Sequence, residues 1–227
     1  MLKFARMLDR FSRTAGLLAG WLIVPLVLII LFDVITRKLD YTRLAFSAWG
    51  VESGYSVSTI LQDFQWHLHA VLLLMSFGLG YLMNAHVRVD IFREMLSRRK
   101  QAWLEMIGLI ILGLPFLILM IKFSWDQFYV SLLQNEGSES MTGLPNRYIV
   151  KSFMVLGFVV AFAAVVATIL RLWGYVSNKE HVSEQALSEL AIFSDQSTAL
   201  AEAQRAAEEA LEKERQAALA AQRDPSA

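Results

Sequence analysis

Histidines are the first residues to consider, because imidazole binds haem iron and metal ions and transfers protons near neutral pH. His67, His69 and His86 lie in or beside one apolar stretch. His67 and His69 are two residues apart, so on a helix they point to different faces and cannot chelate one ion together. The spacing therefore favours polar contacts between helices, and we predict neither a metal site nor a cofactor.

Other signatures of catalysis are missing from the sequence. It contains no cysteine, which excludes disulfides, thiol catalysis and iron–sulfur ligation. Gly78 and Gly80 follow no predicted strand and lack the third glycine of a dinucleotide-binding loop, so they indicate close approach of two helices. No nucleophile has a general base beside it at a recognisable spacing. We therefore predict that the chain is not an enzyme.

A polar corner at residues 84–92 stands out from its surroundings. Asn84, His86, Arg88 and Asp90 alternate there with apolar residues. The corner ends a long apolar run and precedes a basic segment. We therefore place it where a membrane span meets the cytoplasm.

The composition is typical of a membrane protein. Apolar residues make up 56% of the sequence and charged residues 19%, and the uncharged blocks are near the roughly 20 residues that cross a bilayer. We predict an all-α integral membrane protein with four transmembrane helices, an interfacial segment and a cytoplasmic helical tail. The spans are predicted at residues 15–35, 64–84, 102–128 and 148–173, and the interfacial segment at residues 39–58.

Charge divides the chain into three predicted regions. Residues 1–14 form a basic cytoplasmic N-terminus, residues 15–173 the membrane domain, and residues 174–227 an acidic, Ala- and Glu-rich cytoplasmic tail. From Lys179 onward ten Asp and Glu stand against five Lys and Arg. The N-terminal segment, the 88–100 loop and the exit of the last span hold about eleven Lys and Arg, and the opposite loops about five. The positive-inside rule therefore places both termini in the cytoplasm.

Several short motifs occur in a fixed order along the membrane domain. They are Asp33-Val34-Ile35-Thr36-Arg37, Leu61-Gln62-Asp63-Phe64-Gln65-Trp66-His67, His86-Val87-Arg88-Val89-Asp90-Ile91-Phe92, Ser124-Trp125, Glu136-Gly137-Ser138 and Gly143-Leu144-Pro145, followed by Lys151. In this order and spacing the chain resembles the small membrane subunit (DctQ type) of tripartite ATP-independent periplasmic (TRAP) transporters. The resemblance covers roughly residues 33–171.

This resemblance implies a division of labour between subunits. In such transporters a periplasmic binding protein captures a solute, usually an organic acid, and a large membrane subunit imports it together with sodium ions. The small subunit binds the large subunit, widens its membrane footprint and offers surface to the binding protein. The expected partners are those two proteins and the lipid of a bacterial inner membrane, with no nucleic acid.

The resemblance also suggests residues that contact partner proteins or lipid. The candidates are Asp33, Arg37, Asp63, Trp66, His67, Asn84, His86, Arg88, Asp90, Trp125, Glu136 and Pro145. Arg88 is expected to meet a lipid phosphate or a partner carboxylate and Asp90 to cap the next turn. Trp66 and Trp125 are expected to lie at the periplasmic headgroup level, and the 136–145 loop to face the binding protein. Ordinary anchoring of a span is an alternative role for each residue.

Two other functions remain open on the sequence alone. A self-contained four-helix channel or exporter would need a polar pore lining, and the predicted spans have few polar residues. A membrane redox subunit would use His67, His69 and His86 as ligands, and would be coloured or metal-bound when purified. No Asp, Glu, Lys or Arg stands at the centre of a predicted span, which argues against a transport site within this chain.

Overall fold

The computed structural model describes residues 2–85 and 96–177, which form helices and loops without a strand. The first four helices are α1 (Leu2–Gly20), α2 (Ile23–Lys38), α3 (Asp40–Ser53) and α4 (Val57–Leu82). They are followed by α5 (Arg98–Gly108), a π-helical turn (Leu109–Gly113), α6 (Leu114–Leu133) and α7 (Tyr148–Val176). The prediction of an all-α protein is confirmed for the described residues, and nearly all of the predicted tail lies outside them.

Three helical segments in the described part of the chain are long and apolar enough to cross a membrane. They are Leu2–Lys38, Arg98–Leu133 and Tyr148–Val176, and they contain the predicted first, third and fourth spans. The 26-residue α4 covers the predicted second span but is not one of the three. Its first half carries Gln62, Asp63, Gln65 and two histidines, which lower its mean hydropathy. The predicted second span, and with it the count of four spans, therefore stays a prediction.

The predicted first span is divided between two helices that meet in a tight turn. Pro25 has no N–H and cannot bond the Trp21 carbonyl four residues before it. The Val24 N–H donates to that carbonyl at 3.2 Å, which closes a four-residue turn over residues 21–24. The break between α1 and α2 therefore lies where Pro25 lacks the N–H that would continue the helical hydrogen bonds.

α4 and α7 form the centre of the bundle and touch through glycines. A Cβ atom added to Gly157 would lie 2.7 Å from the Leu74 carbonyl oxygen, and one added to Gly78 would lie 2.8 Å from a Val160 methyl carbon. The two backbones therefore approach closely at two points. The predicted close approach is confirmed for Gly78 and is wrong for Gly80, whose added Cβ would have nothing within 4 Å.

α1 and α6 pack against this central pair. A Cβ atom on Gly16 of α1 would collide with Leu79 of α4, and the Ser12 hydroxyl donates to the Val160 carbonyl of α7 at 3.0 Å. α6 and α7 share an apolar cluster built on Leu117, Ala161 and Val165. A second cluster joins α5 to the end of α7 through Ala102, Met106, Leu172 and Val176.

α2 and α3 lie outside the tightly packed centre. Only Leu26, Asp33 and Thr36 of α2 are buried, which is a narrow stripe at spacings of seven and three residues. α3 buries no residue and ends at Gly54, which has φ 77° and so requires a residue that tolerates the left-handed region. α3 covers most of the predicted interfacial segment, and its position at a membrane interface stays a prediction.

Candidate functional site

Most of the described candidate residues lie at one end of the bundle, here called the loop end. At this end α2 and α6 finish, α4 and α7 begin, and the connecting loop, residues 134–147, crosses between α6 and α7. The candidates found there are Asp33, Arg37, Asp63, Trp66, His67, Trp125, Glu136 and Pro145. Asn84 lies at the opposite end of α4, and the predictions for His86, Arg88 and Asp90 fall outside the described residues.

Four side chains link α2 to α4 at the loop end, and we call them the α2–α4 network. Arg37 donates to both oxygens of Asp33, from Nε to Oδ1 at 2.9 Å and from Nη2 to Oδ2 at 2.7 Å. Gln65 of α4 donates to Asp33 Oδ2 at 3.3 Å. The Gln62 amide, with its oxygen turned toward the guanidinium, accepts from Arg37 Nη1 at 3.2 Å. Asp33 is only 5% exposed, so the network compensates a buried carboxylate.

Asp63 links α4 to the connecting loop. Its Oδ2 atom accepts a hydrogen bond from the Leu144 backbone N–H at 2.8 Å, and the Leu144 carbonyl accepts one from Ser138 N–H at 2.9 Å. A Cβ atom on Gly143 would collide with the Asp63 carboxylate and with Ser138. The glycine of the Gly-Leu-Pro motif therefore leaves room for the aspartate of the α4 motif.

The other side of the connecting loop is held to α7 by charge. Glu136 forms an ion pair with Lys151, and its backbone carbonyl accepts from the Arg147 N–H at 2.8 Å. Arg147 Nη1 lies 3.2 Å from Glu139 Oε1. The hydrogen bond from the Lys151 ammonium holds the pKa of the Glu136 carboxyl below its ordinary value. Polar contacts thus fix the loop at both of its ends.

The motif at the start of α4 presents two polar faces. Gln62 and Gln65 face α2, whereas Asp63 and His67 are four residues apart and face the connecting loop. Residues three or four apart lie on one face of a helix, so each pair serves one neighbour. The two glutamines were missing from the predicted site, and their spacing of three residues is the signal that could have identified them.

A cleft opens between α4, α6, α7 and the connecting loop. This loop cleft has a volume of about 580 Å³. Its lining residues are Asp63, Trp66, His67, Ala70, Leu74, Gln127, Ser138, Glu139, Arg147, Val150, Lys151 and Met154. Three predicted site residues, Asp63, Trp66 and His67, therefore share one surface. Trp125 is two residues from the lining residue Gln127, and its ring lies 5.7 Å from that of Phe128.

His67 and His69 occupy different surroundings. His67 is half-buried and lines the loop cleft, whereas His69 is exposed. The predicted divergence of the two side chains is confirmed. Within residues 2–85 and 96–177, no group of three His, Asp or Glu side chains is arranged to hold a metal ion.

Asn84 ends α4 in a recognisable capping motif. Its φ of 55° places it in the left-handed region, its N–H bonds the Tyr81 carbonyl at 3.1 Å, and the next N–H, of Ala85, bonds the Gly80 carbonyl at 3.0 Å. This pair of bonds is the Schellman arrangement. Asn135 ends α6 in the same way, with φ 47°. Asn84 therefore has a structural role that needs no partner.

A buried ion pair at the opposite end was not predicted. Arg171 of α7 is 3% exposed and donates from Nη1 to Asp9 Oδ1 of α1 at 2.9 Å. Asp9 Oδ2 also accepts from Arg13 Nε at 2.8 Å. In the sequence alone the two arginines are separate cytoplasmic charges, and nothing near them indicates a shared partner.

Comparison with known proteins gives one family match. The model of "Tripartite ATP-independent periplasmic transporters, DctQ component" matches residues 26–174, which include the α2–α4 network, the connecting loop and nearly all of α7. No curated protein sequence and no solved structure matches. Because the match covers more than half of the chain, the chain belongs to the DctQ family of TRAP transporter components, a family of transporter subunits and not of enzymes.

Proposed function

We propose that this chain is the small subunit that binds and supports the large membrane subunit of a TRAP transporter. The large subunit would import a solute, an organic acid by analogy with the family, by sodium-coupled symport. A periplasmic binding protein would deliver that solute. The observation that carries the proposal is the family match over residues 26–174, which contain most of the packed helices.

The distribution of buried residues favours a role in which this chain packs against another membrane protein. In the most apolar part of Leu2–Lys38, and likewise of Arg98–Leu133, 11% of the residues are buried. The corresponding fraction in Tyr148–Val176 is 39%. The outer helices therefore present wide apolar faces to lipid or to another membrane protein. Leu31 of α2 and Phe116 of α6 lie on these faces, at 52% and 58% exposure.

The proposed topology has four spans, with α4 as the additional one, and both termini in the cytoplasm of a bacterial inner membrane. α4 lies between α1 and α7, and its residues after Asp63 carry no Asp, Glu, Lys or Arg. The excess of Lys and Arg at the end opposite the connecting loop supports this orientation. The loop end would then face the periplasm, with α3 at the membrane interface.

The connecting loop is the proposed contact for the periplasmic binding protein. It is held by Asp63 and Lys151 and presents Met141 at 99% exposure. A loop fixed at both ends pays less conformational entropy on binding than a free one. Trp66 and Trp125, at 76% and 54% exposure, are proposed to anchor this end at the headgroup level.

Co-purification tests the proposed function directly. The tagged chain is extracted from its native membranes in mild detergent, and the proteins recovered with it are identified. A near-stoichiometric, larger multi-span protein is the expected result. Recovery of the chain alone, stable and monodisperse, would contradict the supporting role and favour the self-contained channel.

Site-specific photocrosslinking then identifies the face that binds. A photoreactive residue is placed at Leu31 on α2 or at Phe116 on α6, and the expected result is an adduct with the large subunit from at least one of these positions. The same replacement at Leu117, which is 8% exposed and packs toward α7, is the matched control and should give no adduct with another protein.

A further inference from the structure

We propose that the loop cleft binds one phospholipid whose headgroup carries both a phosphate and an amine, with phosphatidylethanolamine as the chemical type. Its headgroup would lie among the charged residues of the cleft and the start of an acyl chain along the apolar wall. The inference goes beyond the proposed function and requires only that α7 crosses the membrane. Neither the large subunit nor the binding protein is needed for it.

The depth of the cleft along α7 fits the headgroup level. Lys151 is the last charged residue before an uncharged stretch that continues to Arg171. That stretch is close to the roughly 20 residues that cross the hydrocarbon core. The cleft is lined by Lys151 and by Met154 one turn further along, so it extends from the end of this stretch into the apolar layer.

One wall of the cleft is an apolar strip that descends from the loop end. Trp66, Ala70 and Leu74 line it at intervals of four residues along α4, and Val150 and Met154 line it at the same interval along α7. Eight residues of helix span about 12 Å, which accommodates a glycerol backbone and the first methylenes of an acyl chain. Ala70 in the middle of the strip leaves the space for that chain.

The charged part of the cleft contains both signs in equal number. Arg147 and Lys151 are positive, and Asp63 and Glu139 are negative. Arginine and lysine can donate together to a phosphate, while the two carboxylates can accept from an ammonium group. Lys151 keeps its ion pair with Glu136, and Asp63 keeps the hydrogen bond from the Leu144 N–H, so both would meet the headgroup with their remaining hydrogen-bonding capacity. A headgroup with a phosphate alone would leave the carboxylates without a further donor and would meet their repulsion.

The Arg147–Glu139 pair can be exchanged for the lipid at little cost, while the Lys151–Glu136 pair and the Asp63 bond to Leu144 stay in place. Arg147 is bonded to Glu139, whose side chain is 89% exposed, and an exposed pair of this kind contributes little. Binding of phosphate to Arg147 and of the amine to Glu139 would replace this one solvated contact with two contacts to the lipid. The charge balance of the cleft is unchanged by a zwitterionic headgroup.

Native mass spectrometry of the full chain in detergent tests the proposal. Phosphatidylethanolamine, phosphatidylglycerol with the same acyl chains, and soluble glycerophosphoethanolamine are titrated separately. We expect one tightly retained phosphatidylethanolamine, bound about tenfold or more tightly than phosphatidylglycerol, because hydrogen bonds between charged groups are strong in a partly buried site. Glycerophosphoethanolamine should bind much more weakly than the whole lipid.

Two variants alter the two parts of the proposed lipid site separately. Arg147→Gln removes the guanidinium, and Ala70→Phe fills the apolar strip without changing charge; each should weaken retention about tenfold. Arg43→Gln, on exposed α3, is the matched control and should bind as the wild type does. Size-exclusion chromatography and circular dichroism establish that each variant is folded.

Three results would overturn the proposal. Equal retention of the two lipids would show that the amine is not recognised. Equal binding of glycerophosphoethanolamine and the whole lipid would show that the apolar strip does not hold an acyl chain. A photocrosslink from position 70 to the large subunit, with no lipid retained in the complex, would show that protein fills the cleft.

Discussion

Asp9 and Arg171 are 162 positions apart in the chain, and their side chains meet at 2.9 Å in the structure. The contact joins α1, the first helix, to the last turns of α7. The Arg171 side chain is 4% exposed and that of Asp9 13%, so this ion pair is largely removed from water. A second contact between the same helices, from Ser12 to the Val160 carbonyl, lies further along α1.

Replacing Asp9 with Asn should destabilise the bundle, because it removes the carboxylate that compensates a buried guanidinium. Breaking a buried pair by removing one partner costs roughly 3 kcal/mol. The measurement is the midpoint of thermal unfolding in mild detergent. The control is Asp40→Asn, whose pair with Arg43 is exposed at 83% and 65% and should contribute well under 1 kcal/mol. Equal midpoints for the two variants would contradict the prediction.

Gly157→Ala should separate α4 from α7. Its new methyl group would lie 2.7 Å from the Leu74 carbonyl oxygen, and such overpacking costs about 1–3 kcal/mol. Gly80→Ala is the matched control, since its methyl would have nothing within 4 Å and alanine favours helix by up to about 1 kcal/mol. The midpoint temperature of thermal unfolding should therefore fall for Gly157→Ala and should rise or stay unchanged for Gly80→Ala. A downward shift for Gly80→Ala would contradict this account.

Asp63→Ala should release the connecting loop, because the Leu144 N–H loses its acceptor. Limited proteolysis should then cut faster within residues 134–147, and less of the large subunit should be recovered with the chain. Asp126→Ala on α6 removes an exposed carboxylate and is the control. If Asp63→Ala is cut at the wild-type rate and recovers the large subunit fully, Asp63 does not order the loop.

The Glu136–Lys151 pair predicts that the connecting loop is held less firmly at acidic pH. The pKa of Glu136 is lowered from 4.5 in the folded chain, so its contribution is complete above that value and is lost as the pH falls through the folded pKa. The pair is partly exposed and contributes less than about 1 kcal/mol. Wild type should therefore be cut more slowly than Glu136→Gln in the loop at pH 7, and the difference should shrink as the pH falls below 4.5 and through the lowered pKa of Glu136. A difference that persists in acid would contradict this assignment.

The membrane-crossing blocks could be predicted because an uncharged stretch of about 20 residues has one dominant explanation. α7 begins at Tyr148, where the fourth span was predicted to begin, and Leu2–Lys38 and Arg98–Leu133 contain two other predicted spans. The first span is divided just before Pro25, a residue whose missing N–H indicates a kink near the middle of that span. The division depends on how a short turn forms around Pro25, and apolar composition does not report that.

The contacts between helices were much harder to predict. In a membrane helix the face toward lipid and the face toward a neighbour are both apolar, so hydrophobic periodicity does not separate them. Gly78 was correctly assigned to a close crossing, yet Gly80 looks identical in the sequence. The Asp9–Arg171 pair has no local signal, because its partners lie on different helices. At the start of α4 the polar spacing did carry information, since Gln62 and Gln65 face α2 while Asp63 faces the loop.

The position of α7 at the centre of the bundle sets an order of events during synthesis. Asp9, Ser12 and Gly78 each find a partner on α7, yet α1 and α4 leave the ribosome before α7 does. A nascent chain that has not yet released Tyr148–Val176 therefore holds the Asp9 carboxylate without its Arg171 donor and the Ser12 hydroxyl without its Val160 acceptor. Insertion machinery, lipid headgroups or another subunit must accommodate these groups until α7 enters the bilayer and native packing begins.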